Sequence, residues 1–149
     1  MPVEITRCGS GKNYPTTELR KIAAALLRKL GKHRTELSVA LVGDKEMRPL
    51  NAKYRNTDKT TDVLSFAVDD QPPGHGILLG DVIISVEQAR RQAKQRKVTL
   101  KSEMALLLIH GVLHLLGHNH EGSGRRAKIM FSLERKLLAY LCDRGLLKV

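Results

Sequence analysis

The chain reads as an α+β protein (mixed α/β), a single compact domain over residues 1–149 with a mixed sheet of about four strands packed with about five helices. Three observations predict this. Short runs rich in Val, Ile and Leu, several with the period-two alternation of strands, fall in the first 86 residues. Apolar residues at helical spacing dominate the remainder. A length of 149 residues can bury one sizeable core and argues against a second folded domain.

The elements follow in order along the sequence. Val3–Arg7 alternates apolar and polar residues and reads as the first strand. After a turn rich in Gly and Asn (9–13), Pro15 suits a first helical turn. Leu19, Ile22, Ala23, Leu26, Leu27 and Leu30 then recur at helical spacing until Gly31. Leu37, Val39 and Leu41 alternate with Ser38, Ala40 and Val42 in a core strand that ends at Gly43. Asp44 is placed to cap a helix through Tyr54. Pro49 removes a donor and crowds the preceding turn, so this helix starts at Asp44 or later. Val63–Val68 and Val82–Val86 are rich in β-branched residues and supply two further strands. The loop between them carries Pro72, Pro73, Gly74, His75 and Gly76, which is turn chemistry. Ser85 caps a helix through Lys97, Thr99 or Ser102 caps another through Leu116, and a last helix runs from about Arg125 to Leu141. There is no internal repeat or low-complexity tract.

Composition narrows the function classes. Apolar residues make up 42% of the chain, too many for a disordered protein. The longest apolar runs, Ile22–Leu27 and Met104–Ile109, fall far short of the roughly 20 residues of a membrane span. Glu4, Arg7 and Lys12 interrupt the first residues, so no secretory signal is read there and the expected location is the cytoplasm. Cys8 and Cys142 lie far apart in no ligand-like spacing and read as reduced thiols. Lys and Arg total 26 against 15 Asp and Glu, a net charge of +11. The excess is clustered at Arg90, Arg91, Lys94, Arg96, Lys97 and Lys101, and again at Arg125, Arg126, Lys128, Arg135 and Lys136. These are either solvated helix faces or the footprint of a polyanion such as RNA, bound through its phosphates. With two Phe, three Tyr and no Trp, stacking platforms for bases are scarce, which favours backbone contact over base reading.

The chemistry concentrates between residues 104 and 120. Apart from His110, Gly111 and His114, everything from Met104 through Leu116 is apolar, as in a helix buried on nearly every face. His110 and His114 stand one helical turn apart, so their imidazoles project from the same face. Gly117 offers the left-handed conformation that ends a helix and returns the chain, bringing His120 toward the other two rings. Three converging ring nitrogens with a fourth position left to water describe a catalytic zinc site. A lone buried histidine is more often a hydrogen-bonded core residue. Here four of the six histidines fall within eleven positions, and burying them without partners would be costly. His118 competes with His120 as third ligand, but only His120 keeps the spacing of the extended metzincin motif. Gly111 stands where those proteases place their general-base glutamate, so the metal arrangement survives without that proton acceptor.

These residues resemble the YbeY family of rRNA-maturation endoribonucleases, whose signature is close to H-G-x-L-H-L-x-G-Y-D-H. His110-Gly111-Val112-Leu113-His114-Leu115-Leu116-Gly117 and His120 match it. Leu50-Asn51, Tyr54-Arg55, Asp58, Thr61 through Phe66, Leu79-Gly80-Asp81, Met130 and Glu134 extend the likeness in the right order over most of the chain. The resemblance implies a mixed four-stranded sheet with helices, one zinc ion per chain, and hydrolysis of single-stranded RNA. It also implies work near the 3′ end of small-subunit rRNA and in ribosome quality control, with ribosomal proteins or a ribosome-assembly GTPase as protein partners and no membrane. The family's motif arginine corresponds to Arg55, placed by the resemblance near the metal. The sequence departs from the pattern at His118 and Asn119, where the family usually carries Tyr and Asp. Asn119 accepts a hydrogen bond but takes no proton; Glu121 is the nearby carboxylate that would substitute.

The expected chemistry is metal-assisted phosphodiester cleavage, with Arg55 as the catalytic and substrate-binding residue whose planar fork matches two phosphate oxygens. Asp62 and Asp81 border predicted strands and read as structural caps rather than as a general base. Two rival readings remain at this point: a zincin-like metalloprotease, against which Gly111 argues, and a non-enzymatic ribosome-associated RNA-binding factor with a structural metal. The latter would need His118 as a fourth ligand.

Overall fold

The structure, a computed structural model, describes residues 3–57, 59–67, 77–118 and 124–148. Strands β1 (Val3–Arg7), β2 (Thr35–Val42), β3 (Val63–Ala67) and β4 (Ile77–Ser85) form one sheet in the order β1-β2-β4-β3. β1, β2 and β4 are mutually parallel, and β3 closes the edge antiparallel to β4. Five helices accompany them: α1 (Thr17–Lys29), α2 (Asp44–Arg55), α3 (Val86–Arg96), α4 (Leu100–Leu115) and α5 (Gly124–Asp143). The expected class and the mixed sheet are both present. No single described helix is long and apolar enough to cross a membrane.

Several boundaries differ from expectation for identifiable reasons. β4 begins five residues before Val82, because Gly80 sits beside a register shift opposite Glu36 and Leu37 and stays in the ladder. α2 starts at Asp44 despite Pro49, and Gly43, not Asp44, is its N-cap. Pro49 and Lys45, the residue whose carbonyl loses its donor, are both exposed, so water can satisfy that group. Thr99, not Ser102, caps α4, its hydroxyl accepting from the Ser102 N–H at 3.1 Å. Ser85 caps α3 as expected, accepting from Gln88 N–H at 3.2 Å. The loop with Pro72 to Gly76 lies outside the described residues.

The two sheet faces have different cover. Leu37, Val39 and Leu41 of β2 and Val82 and Ile84 of β4 share one face with the buried residues of α1, α4 and α5. The opposite face carries Val42, Leu64 and Ile83, against which α2 packs through Met47 and Leu50. α4 is the central helix. Met104, Ala105, Leu108, Ile109 and Leu113 are fully buried, and Glu103 is 1% exposed, with its carboxylate accepting from Gln92 at 2.8 Å and facing Arg96 at 3.6 Å.

Gly111 lets α4 approach the sheet this closely. A Cβ on Gly111 would stand 2.7 Å from Cγ1 and 3.0 Å from Cγ2 of Val82, a stiff β-branched side chain within a strand. On an open helix Gly→Ala would stabilise by about 1 kcal/mol. At this site overpacking, which costs about 1–3 kcal/mol, reverses the sign. Gly111→Ala is expected to lower stability in denaturant unfolding. Adding Val82→Ala should relieve the clash, leaving the double variant at least about 1 kcal/mol more stable than the two single effects summed.

Candidate functional site

The site is built on the C-terminal half of α4. Most of that helix is enclosed, but Leu106, His110 and His114, each four residues from the next, form a half-buried stripe. Sequence reasoning expected the two rings on a buried face; they instead occupy the side of α4 that stays open. The imidazole centroids are 4.8 Å apart with planes inclined at 48°, so the two rings form one unit.

The helix then ends as Gly117 requires. Gly117 has φ +94°, its N–H donates to His114 C=O at 3.0 Å, and His118 N–H reaches back to Leu113 C=O at 3.0 Å. This pair of bonds is the Schellman termination that turns the chain back on itself. His118 lines a small depression with Gly117, Arg126 and Ile129. His120, Asn119 and Glu121 lie outside the described residues, as does Asp58. Among the described residues no group of three side chains able to ligate a metal gathers.

Glu134 orients the first ring of the pair. His110 Nδ1 lies 2.8 Å from Glu134 Oε1 on α5, where the carboxylate is only 10% exposed. A carboxylate on Nδ1 selects the tautomer protonated there, fixes the ring plane and leaves Nε2 as the nitrogen with a lone pair to offer. The donor set of two neighbouring imidazoles, one held by a buried carboxylate, fits a zinc ion. Sequence reasoning noted Glu134 only as part of a likeness and assigned it no role. A signal for it was present: Met130, Glu134, Leu137 and Leu141 form the buried stripe of α5, and a carboxylate on such a stripe needs a polar partner.

A cleft of about 510 Å³ opens beside His110, between α4 and α5, with Asp62, Arg96 and Arg135 in its lining. Asp62 Oδ1 accepts from the Val63 N–H at 2.8 Å and the Thr61 hydroxyl at 3.4 Å, which is the cap-like role expected of it. Asp81 stands within β4, opposite Ser38 on β2 and Phe66 on β3. Arg55 is the last residue of α2, exposed, and makes no side-chain hydrogen bond or ion pair among the described residues. Its neighbour Tyr54 packs edge-on against Phe66 of the edge strand β3, with centroids 4.9 Å apart. The described contacts put α2 on the sheet face opposite α4 and do not join Arg55 to His110 or His114.

The sequence model described as Endoribonuclease YbeY matches residues 6–142. The chain belongs to the YbeY family. Among curated relatives named Endoribonuclease YbeY, that of Aquifex aeolicus is 43% identical over 83% of this chain and 82% of its own length. That of Geobacter metallireducens is 41% identical, covering 88% and 89% respectively. That of Myxococcus xanthus is 47% identical over 93% of this chain, which spans only 46% of that longer relative. The solution structure of TM1509 from Thermotoga maritima superimposes with a TM-score of 0.64 at 27% identity, covering 91% of this chain and 86% of that one.

In this YbeY-family chain the helix that carries Arg55 is pinned at its other end by Asp44. Oδ1 accepts from Ser85 at 2.9 Å and Thr60 at 3.0 Å, and Oδ2 pairs with Arg91 at 2.6 Å, tying α2 to the start of α3. Burial works to raise the Asp44 carboxyl, but the hydrogen bonds from Arg91, Ser85 and Thr60 outweigh it and hold the group below its ordinary 3.8. A depressed carboxyl stabilises the fold above that ordinary value and stops doing so as pH falls through the lowered one. Asp44→Asn is expected to cost about 1 kcal/mol at pH 7, allowing for solvent screening of the half-exposed Arg91. In parallel urea titrations that gap should close as pH is lowered from about 4 towards 2.

Proposed function

We propose that this chain is a zinc-dependent endoribonuclease that hydrolyses phosphodiester bonds in single-stranded RNA. On this reading it acts in the cytoplasm, in 3′-end maturation of small-subunit rRNA and in ribosome quality control, alongside ribosomal proteins or a ribosome-assembly GTPase. The observation that carries the reading is the His110–His114 pair on the open stripe of α4, with Glu134 seated on Nδ1 of the first ring. His110, His114 and His120 would hold one zinc ion. Bound there, zinc supplies a Lewis acid that polarises a phosphoryl oxygen and makes a water acidic enough to lose its proton near neutral pH.

The chain's own residues would do the rest. Glu134 keeps the His110 ring from rotating, so its ligand nitrogen is set before any ion arrives. Exposed cations on α3 (Arg90, Lys94) and α5 (Arg125, Lys128, Lys136) attract the phosphate backbone and give salt-sensitive affinity without base reading. Arg55 would steady phosphate oxygens of the same strand. α2 and α4 flank the edge strand β3 from opposite faces, and an RNA strand crossing that edge meets both. The two free thiols, Cys8 and Cys142, accord with a reducing compartment.

Parent protein is expected to carry one zinc by elemental analysis and to cleave a short single-stranded RNA. His114→Ala should lose the metal and slow cleavage about a hundredfold or more. Equal cleavage by both proteins would overturn the metalloenzyme reading. Glu134→Ala should weaken zinc about 10- to 100-fold in chelator competition, while Glu134→Gln, which keeps an acceptor oxygen, loses less. Arg55→Lys cleaving as fast as the parent would remove Arg55 from the proposal.

A further inference from the structure

Phe131 is 56% exposed on α5, although burial would have stabilised the fold. Glu134, Arg135 and Leu138 follow it at i+3, i+4 and i+7, so the four side chains share one stripe of the helix. All four line the cleft of about 510 Å³ that also contains His110. The Arg135 guanidinium carbon lies 5.8 Å from the Phe131 ring centroid, stacking a cation on the exposed ring. The chain has only two phenylalanines and no tryptophan, and the other phenylalanine, Phe66, packs against Tyr54. A single exposed apolar ring is ordinary on a protein surface; what sets Phe131 apart is its place in the lining of the cleft that holds His110.

We propose that Phe131 and Arg135 form a stacking platform for one base of the RNA, the base next to the phosphate being cleaved. The inference rests on the ribonuclease reading and names a subsite within it. Phe131 stands about one helical turn from Glu134, the residue bonded to His110, and one turn is about 5.4 Å of helix axis. That distance is of the same order as a nucleotide step, about 3.4 Å along a stacked strand and more when the bases are splayed. A base with its face on the ring would leave its own phosphate directed toward the histidines, and the exposed Arg125, Lys128 and Lys136 on α5 would hold neighbouring phosphates. Every base has a π-face, so the platform is tolerant of sequence. It is intolerant of pairing, because a base inside a duplex is stacked on its neighbours and cannot lie on the ring. The platform would thereby give the cleft its preference for single strands.

The test uses zinc-loaded full-length protein and a short single-stranded RNA carrying 2-aminopurine, free or annealed to its complement. Parent protein is expected to quench the single-strand fluorescence on binding and to prefer single strands. Phe131→Ala should raise KM about tenfold with kcat within about twofold, lose most of the quench and narrow the preference over duplex. Phe131→Trp should restore all three, whereas Phe131→Leu, apolar without a π-face, should behave as alanine does. Zinc content and melting temperature measured on every variant keep these effects separate from loss of fold or metal. Parental KM and quench in Phe131→Ala, or in Phe131→Leu, overturn the platform and leave the ribonuclease reading standing. A parent that neither cleaves nor quenches overturns both.

Discussion

The closeness of α4 to the sheet, set by the missing side chain at Gly111 against Val82, is the constraint on which the rest of the molecule depends. With the helix axis drawn in at this point, the sheet, α1, α3 and α5 can cover α4 on nearly all sides. Past its first turn, only the Leu106–His110–His114 stripe of α4 stays half-open. α5 is then located by burial of Met130, Leu137 and Leu141, and the same stripe delivers Glu134 to within 2.8 Å of His110 Nδ1. Pushing α4 outward by the width of a methyl group would shift the histidines relative to α5, so a steric detail on one side of the helix controls a hydrogen bond on the other.

The parts of this arrangement legible in the sequence were those whose cause is local. The apolar stretch around His110 and His114, the capping hydroxyls of Ser85 and Thr99, and the helix-ending Gly117 each act within a few residues and were read close to where they lie. Features decided across the chain were not legible. Gly80 stays in β4 because β2 and β3 pair on either side of it, so the strand begins earlier than the β-branched run from Val82 suggests. Glu134 belongs to the site because α5 happens to face α4, and its one local sign was a carboxylate on an apolar stripe. The face of the sheet that α2 covers is set by the alternation of Val42, Leu64 and Ile83 rather than by anything near Arg55. The third ligand position, His120, lies among the residues whose structure is not described.

Gly111 also bears on the protease alternative more strongly than its chemistry suggests. In sequence it is simply the absence of a glutamate next to His110. In the fold, the direction a side chain would take from position 111 is blocked by both methyl groups of Val82. A glutamate there would meet the hydrophobic core rather than the cleft, burying a charge without a partner. The position is therefore closed to a general base of that kind on steric grounds, and the resemblance to metzincins stops at the histidine spacing.

The distribution of charge completes the argument. The carboxylates that matter most to the fold point inward and are paired: Glu103 with Gln92 and Arg96, Glu134 with His110, and Asp44 with Ser85, Thr60 and Arg91. The cations of α3 and α5 are largely exposed. A net charge of +11 is thus felt mostly outside, while the cleft beside the histidines is bordered by charges of both signs, Asp62, Glu103 and Glu134 with Arg96 and Arg135. A polyanion is drawn to such a surface at long range, and the same field falls away over roughly 8–10 Å in physiological salt. Near the histidines the carboxylates of Glu103 and Glu134 are engaged by Arg96 and His110, so charge there is locally balanced. Arg96 and Arg135, exposed and yet part of the cleft lining, join the outer positive surface to the locally balanced ground beside His110.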